Sequence, residues 1–200
     1  MIDLFTELDR ARLYLLYHLN PVHPQAPPVP KGPLLQIVII RHGEKPAEGD
    51  NLSAEGFERA LALPKVLNRV MPRPPQFTYV PCIGTDKAET TRVRMMQTVL
   101  PYAVQHNLTI NSDFAPDEIK GLAKQLRRHR GTVLVVWEHH NIVKMAEALG
   151  IAELQEWPDD DFDSIWTITF HEGKPNGKAK GAVLTKNQQH IEPTGVGFGL

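Results

Sequence analysis

The amino-acid sequence predicts an α/β fold in which a mainly parallel sheet carries helices on both faces. Two observations support this prediction. Apolar runs of strand length alternate with segments of helical periodicity from residue 34 to residue 170. Two of the runs, 34–40 and 132–137, are apolar at almost every position, which is typical of strands buried on both faces. We therefore expect a three-layer α/β/α sandwich with an N-terminal helical extension.

Composition divides the 200 residues into three parts. Residues 1–20 contain an amphipathic helix over 3–19, with Asp3 as its N-cap. Residues 21–33 carry six prolines and are expected to form an extended connector. Residues 34–200 have the length of one ordinary domain. We expect the first helix to pack on this domain, and a helix that binds a partner is the alternative.

Within the main domain, apolar periodicity and capping residues predict the elements in order. Ser53 caps the first helix, Pro116 suits the first turn of the third, and Gly150 closes the fourth. The segment 171–190 is expected to be a loop, and the glycine-rich tail to be irregular. The predicted strands are 34–40, 77–80, 108–110, 132–137 and 164–170, and the predicted helices are 53–70, 89–105, 116–130 and 141–149.

Charge and composition exclude several classes of protein. The chain has 22 Lys and Arg against 23 Asp and Glu, so its net charge of −1 does not favour nucleic-acid binding. It has no apolar run of about 18 residues, so no membrane span is expected. Its first residues do not resemble a signal peptide, and Cys82, the single cysteine, cannot form an intrachain disulfide. We expect a cytoplasmic protein, or an exported one if a leader has been removed.

Charged residues follow two of the buried strands directly. Arg41-His42-Gly43-Glu44-Lys45 comes after strand 34–40, and His139-His140-Asn141 comes after strand 132–137. Ligands of open α/β sheets bind at the carboxyl ends of strands, so these segments meet at one edge if the strands are parallel. Arg94 lies on a helix that could reach an anion at the same edge. The alternative for each segment is a solvated, charged surface.

In this order, the residues resemble the histidine phosphatase superfamily of phosphoglycerate mutase-like proteins. The resemblance implies that His42 is the nucleophile and forms a phosphohistidine, and that Arg41, Arg94 and His139 bind the phosphoryl oxygens. It implies no metal and no cofactor, because two arginines take the role of a metal ion. It spans about residues 34–170 and rests on Arg41-His42-Gly43-Glu44, Leu52-Ser53-Ala54-Glu55-Gly56, Arg94-Met95-Met96-Gln97-Thr98 and His139-His140-Asn141.

The resemblance also implies a carboxylic acid that protonates the leaving oxygen. Glu118 stands where the mutase-like branch has its glutamate. It is equally an ordinary acidic residue at a helix start, where the helix dipole favours negative charge. Asp117 and Glu138 are alternative acids, and some family members lack this group.

Three positions depart from the mutases of the family, so mutase activity is not expected. Lys45 stands where they have a serine or threonine, Glu48 where they have an asparagine, and His140 where a glycine usually follows the second histidine. The expected function is a metal-independent phosphatase that acts through His42 on a small phosphorylated substrate or a phosphoprotein. The alternative is a regulatory module of the same fold that binds phosphate esters with little or no turnover. The substrate and the oligomeric state do not follow from the sequence.

The acidic run 159–163 resembles the paired aspartates of a magnesium-dependent phosphatase. Such a motif needs a buried strand directly before it, and Glu156-Trp157-Pro158 stands there instead. We therefore interpret the run as a loop that leads into the last predicted strand.

Overall fold

The computed structural model describes residues 34–87, 89–171 and 181–196. The predicted N-terminal helix and the proline-rich connector lie outside these residues. The strands are β1 (Leu35–Arg41), β2 (Phe77–Tyr79), β3 (Gly84–Asp86), β4 (Glu89–Thr91), β5 (Ile110–Asn111), β6 (Gly131–Trp137), β7 (Ser164–Phe170) and β8 (Val183–Gln188). The helices are α1 (Ala54–Val70), α2 (Arg94–His106), α3 (Ile119–Leu126) and α4 (His139–Ala148).

The central sheet has the strand order β5-β2-β6-β1-β7-β8. The strands β5, β2, β6 and β1 run parallel, whereas β7 is antiparallel to β1 and β8 is antiparallel to β7. Arg41, at the end of β1, is paired with Trp137, at the end of β6. The carboxyl ends of these two strands therefore meet, and the predicted mainly parallel sheet is confirmed.

Helices cover both faces of the sheet. Side chains of β1 alternate between the faces, so that Ile37 and Ile39 pack with α3 and α4, whereas Val38 and Ile40 pack with α1 and α2. All four side chains are fully buried, and burial of one such side chain contributes about 1.5–3 kcal/mol. Two hydrophobic clusters thus form on the sheet, and the predicted three-layer sandwich is confirmed.

Helix α1 begins at its predicted N-cap. The hydroxyl of Ser53 accepts the N–H of Gly56 at 3.2 Å, and the helix runs to Val70 with Pro64 inside it. Helix α2 begins at Arg94, five residues after the predicted start at 89, because β3 and β4 form an antiparallel hairpin there. Apolar periodicity does not reveal this polar hairpin.

The boundaries of α3 and α4 also differ from the prediction. Helix α3 is shorter than 116–130, because the N–H groups of Glu118 and Ile119 bond to the carbonyls of Ala115 and Asp117 in a tight turn before the helix. Helix α4 begins at His139, so both histidines lie in its first turn and not in a loop ahead of it. No helix in the described part of the chain is long and apolar enough to cross a membrane.

Strand β8 occupies part of the segment that was predicted as a loop. It forms the edge of the sheet and pairs with β7 from Val183 to Gln188. The last four residues of the strand are polar and exposed, which is typical of an edge strand. They are Thr185, Lys186, Asn187 and Gln188. The polar sequence therefore hides a strand that is held mainly by backbone hydrogen bonds to β7.

Candidate active site

Arg41 and His42 lie where β1 ends, at the carboxyl edge of the sheet. The N–H of His42 donates to the carbonyl of Trp137 at 3.1 Å, which extends the pairing of β1 and β6 by one residue. Arg41 is 1% exposed and His42 is 5% exposed. A guanidinium and a titratable imidazole are thus held inside the protein, where the surroundings decide their protonation.

The imidazole of His42 is oriented by its own loop. Nδ1 lies 2.6 Å from the carbonyl oxygen of Gly43, and because a carbonyl only accepts, Nδ1 carries the proton and Nε2 keeps its lone pair. Burial lowers the pKa of His42 to about 4, against the opposing hydrogen bond to Gly43, and the charges of Arg41, Arg94 and His139 lower it further. His42 is therefore a neutral imidazole at pH 7 with a free Nε2, which is the form that can act as a nucleophile.

Arg41 is fixed by the loop that precedes β7. Its Nη1 donates to the carbonyls of Asp159 at 2.6 Å and Asp161 at 3.2 Å, and its guanidinium lies 3.9 Å from the centre of the Phe162 ring. Burial lowers the pKa of Arg41 to about 10, although the charges of Asp159 and Asp161 oppose the shift. Arg41 is thus a fixed cation at neutral pH, and its buried Nε has no hydrogen-bond partner among the described residues.

His139 lies at the first position of α4, where the helix dipole favours an anion. Its Nε2 is 2.7 Å from the carboxylate of Asp159. Burial and the charge of Arg41 lower the pKa of His139, although Asp159 opposes the shift. Its Nδ1 is buried and has no partner within the described ranges. An unpaired buried polar group costs about 1–3 kcal/mol, and active sites are where such groups are retained.

Helix α2 holds the loop that follows His42 at two places. The guanidinium of Arg94 donates to the carbonyl of Asn51 at 3.1 Å and to the carbonyl of Gly49, and its charge lies close enough to His42 to lower the pKa of that imidazole. One turn later, the hydroxyl of Thr98 accepts the N–H of Gly43 at 2.9 Å. Helix α2 thus places the charge of Arg94 on the same side of the site as His42.

Two glycines allow the loop after β1 to lie against the start of α1. A Cβ atom on Gly43 would stand 2.7 Å from the carbonyl oxygen of Gly56, and one on Gly56 would stand 2.2 Å from that of Glu44. Both contacts are with backbone atoms, which cannot swing aside. Gly43 and Gly56 are therefore required because the loop after β1 and the start of α1 approach each other too closely for a side chain.

A buried cation behind the site was missed in the sequence. Arg59, on α1, is 4% exposed, and it donates to Glu44, to Asp163 and to the side chain of Gln189. It also donates to the carbonyl of Ile191 at 3.2 Å. Arg59 thus joins the loop after His42 to the start of β7 and to the segment after β8. Its place inside an amphipathic helix was the one available signal, since Arg59 lies on the apolar face with Leu63 and Val66.

The three candidate acids lie at helix starts. The carboxylate of Glu118 accepts the N–H of Ala115 at 2.7 Å, and Glu118 and Asp117 line a cavity of about 580 Å³ between α3 and α4. The carboxylate of Glu138 accepts a hydrogen bond from the side chain of Asn141. The charges of Arg41, Arg94 and His139 lower the pKa of His42.

The acidic run 159–163 lies at the site as the loop that the sequence predicted. It supplies the carbonyls that bind Arg41, the carboxylate of Asp159 beside His139, and the ring of Phe162, whose centre is 6.0 Å from that of His42. These roles follow from the antiparallel direction of β7, which the sequence did not predict. The site therefore presents a neutral imidazole beside two arginines and a second histidine, which is an arrangement suited to a phosphoryl group.

Comparison with known proteins gives similarity at the level of structure. No protein-family model and no curated protein matches the sequence. The fold is similar to that of the protein histidine phosphatase SixA complexed with tungstate, with a TM-score of 0.51 and 18% sequence identity over 74% of this chain and 95% of that chain. A mycobacterial glucosyl-3-phosphoglycerate phosphatase with inorganic phosphate gives a TM-score of 0.49 and 12% identity, over 76% of this chain and 95% of that chain. The chain therefore has the histidine phosphatase fold, as the resemblance of its sequence implied.

Proposed function

We propose that the protein is a metal-independent phosphatase that hydrolyses phosphoric monoesters, or a phosphoryl group on nitrogen, through a phosphohistidine on His42. The observation that carries the proposal is the state of this imidazole. It is buried, its Nδ1–H is held by the carbonyl of Gly43, and its pKa of about 4 leaves Nε2 unprotonated at neutral pH. A neutral, oriented imidazole beside fixed cations is what nucleophilic attack on phosphorus requires.

In the first step, the lone pair of His42 Nε2 attacks phosphorus. The N–P bond forms while the bond from phosphorus to the leaving oxygen breaks, and that oxygen keeps the electron pair and takes a proton. Arg41, Arg94 and His139 neutralise the charge on the phosphoryl oxygens. The buried Arg41 Nε, which has no partner in the described part of the chain, is assigned to these oxygens. Nε2 of His139 donates to Asp159, so its Nδ1 donates to the phosphoryl oxygens only as an imidazolium, the form that the negative charge of the bound phosphoryl group favours.

In the second step, water attacks the phosphohistidine. The O–P bond forms, the N–P bond breaks, and His42 recovers its neutral form while the proton of water passes to the departing phosphate. Splitting one displacement into two lowers each barrier. The two arginines supply the positive charge that a metal ion supplies in other phosphoryl-transfer enzymes.

For the substrate, we propose a phosphoprotein with a good leaving group or a small phosphorylated molecule of the same kind. The carboxylate of Glu118 is engaged by the backbone N–H of Ala115, and that of Glu138 by the side chain of Asn141. A phosphoryl group on nitrogen needs little help from an acid, since a basic nitrogen takes a proton from water. The structural neighbour SixA is a protein histidine phosphatase, which supports this choice.

The test uses the full chain with p-nitrophenyl phosphate and with a histidine-phosphorylated protein. We expect hydrolysis that vanadate inhibits and that a chelator leaves unchanged, with a phosphohistidine trapped by acid-free quenching. His42→Ala should abolish turnover and the phosphohistidine together. Activity lost to a chelator but resistant to vanadate would contradict the proposal. Binding of phosphate esters without turnover or phosphohistidine would instead identify a regulatory module.

The proton donor is tested by varying the leaving group. Glu118→Gln, Asp117→Asn and Glu138→Gln are compared on p-nitrophenyl phosphate and on phenyl phosphate, whose leaving oxygen is more basic. Loss of a general acid slows the phenyl ester by about 10²–10⁴-fold and the nitrophenyl ester much less. If each of the three variants hydrolyses the two esters with the wild-type ratio of rates, then water is the proton donor.

A further inference from the structure

Two histidines and an aspartate form a cluster at the edge of the proposed phosphate site. One donor atom from each of His139, His140 and Asp159 lies within 4.8 Å of the other two. Nε2 of His139 is 2.7 Å from the carboxylate of Asp159, and the centres of the two imidazole rings are 3.8 Å apart. Successive residues of a helix point about 100° apart, so two adjacent histidines do not ordinarily face one another. Here they do, and Asp159 meets them from the loop before β7.

The donor set has the chemistry of a zinc-type site. Imidazole nitrogen and carboxylate oxygen bind Zn²⁺ at about 2.0–2.2 Å, which places tetrahedral donors about 3.3 Å apart. His140 and Asp159 are exposed, so their side chains can close to this separation, whereas the buried His139 provides the fixed ligand. Three protein ligands leave a fourth position for water, and a cavity of about 500 Å³ opens on all three side chains.

The local charge favours a cation in spite of Arg41. The loop that carries Asp159 also carries Asp160 and Asp161, and all three carboxylates act electrostatically on Arg41. Among the described residues, the wall of the cavity beside the cluster carries the carboxylates of Glu147, Glu156 and Asp159 and one cation, Lys144. This excess of negative charge attracts a divalent ion to the cluster.

We propose that His139, His140 and Asp159 form an inhibitory site for a divalent cation of the zinc class. An ion held by Nε2 of His139, together with its bound water, occupies the mouth of the phosphate site, so that the cation and the substrate compete for this space. The inhibition rests on the proposed function. The binding of the cation rests only on the geometry of the three side chains.

Binding is tested on the full chain without an affinity tag, with Zn²⁺ alone as the probe and a chromogenic chelator as competitor. We expect His140→Ala and Asp159→Asn each to weaken Zn²⁺ binding by about tenfold or more. The matched controls are His171→Ala, which removes an exposed histidine, and Asp160→Asn, which removes a neighbouring carboxylate. His171→Ala should leave the affinity for Zn²⁺ unchanged. Asp160→Asn, which removes a nearby charge but no ligand, should weaken binding far less than Asp159→Asn. In wild type, Co²⁺ should give the intense visible absorption of tetrahedral coordination, and His140→Ala should lose it.

Inhibition is then measured as hydrolysis of p-nitrophenyl phosphate against added Zn²⁺. We expect Zn²⁺ to lower the activity and a chelator to restore it. In His140→Ala, half inhibition should require at least about tenfold more Zn²⁺ than in wild type. Equal Zn²⁺ affinity of wild type and His140→Ala, or activation by Zn²⁺, would overturn the inference while leaving the phosphatase proposal intact. An inactive wild type with His140-dependent Zn²⁺ binding would overturn the phosphatase and the inhibition but retain the cation site.

Discussion

The guanidinium of Arg59 and the carboxylate of Glu44 form a bidentate ion pair. Glu44 lies two residues after His42 in the chain. Nη2 of Arg59 lies 2.7 Å from Oε1 of Glu44, and Nε lies 3.0 Å from both carboxylate oxygens. The opposite side of the same guanidinium reaches Asp163 at 3.0 Å. One buried side chain therefore links the loop that holds His42 to the end of the loop that holds Arg41.

We predict that Arg59→Met destabilises the protein by about 2–3 kcal/mol, because the change leaves Glu44 and Asp163 without their shared cation. The carboxylates are 21% and 28% exposed, so water relieves part of the cost of a fully buried pair. Urea unfolding measures the difference. Arg69→Met on the exposed face of the same helix is the control, with an expected change under about 0.5 kcal/mol. Equal effects of the two substitutions would show that the ion pair adds no stability.

Gly56→Ala should lower both stability and activity, because its Cβ would stand 2.2 Å from the carbonyl oxygen of Glu44. Relief of that clash requires α1 to move away from the loop that carries His42. Gly121→Ala in α3 is the matched control, since its Cβ meets a ring atom of Phe114 at an ordinary 3.5 Å. The control should be neutral or stabilising by up to about 1 kcal/mol. Thermal unfolding and hydrolysis assays of the two variants provide the comparison, and similar behaviour would contradict the close approach.

Stability should fall as the pH is lowered from about 6.5 to about 4. The unfolded chain protonates His42 at its ordinary pKa of 6.5, whereas burial lowers the pKa in the folded protein to about 4. Both states are neutral above this range, and only the unfolded state gains the proton within it, which costs the fold about 3 kcal/mol. Urea unfolding measures the free energy of unfolding at pH 7 and at pH 4.5. The decrease between the two values should be smaller in His42→Gln than in wild type. The exposed His171→Gln should retain the wild-type loss, and identical profiles for all three would refute the shifted pKa.

Phe162→Leu should reduce kcat/KM for p-nitrophenyl phosphate by about tenfold, because the ring lies 3.9 Å from the guanidinium of Arg41 and fixes its plane. A cation–π contact of this kind is worth about 0.5–2 kcal/mol. Inhibition by vanadate should weaken in parallel, since the same guanidinium would bind it. Phe77→Leu removes a ring that stacks on His129 and should leave both values unchanged. If vanadate inhibits Phe162→Leu with the same inhibition constant as wild type, the ring does not orient Arg41.

The site was predictable where chemistry follows directly from a buried strand. Arg41 and His42 stand one after the other at the end of β1, and His139 stands two residues after β6. Parallel pairing of these strands brings the three side chains to one edge of the sheet. Arg94 was identified because it lies on the predicted helix 89–105, which could reach the same edge, and because its motif is part of the resemblance. These relations depend on hydrophobic runs and on the direction of strands, and both can be read along the chain.

Three other groups could not be predicted, because their roles depend on contacts between distant segments. Arg59 meets Asp163 and Gln189 across 104 and 130 residues of sequence. Asp159 reaches His139 because β7 runs antiparallel to β1, which turns the loop before β7 toward the carboxyl edge. The polar strand β8 and the polar hairpin of β3 and β4 lack the apolar periodicity on which strand prediction depends.

The sequence by itself determined the sandwich, the edge at which the chemistry gathers and the order of the residues that resemble the histidine phosphatases. These features follow from local apolar patterns and from the covalent order of residues around strand ends. Only the tertiary structure decided that the acidic loop 159–163 closes over Arg41, that Asp159 stands beside His139 and that His42 is neutral. The physical reason is that strand direction and burial are settled by packing of the whole domain, and the pKa of a side chain depends on the surroundings which that packing creates.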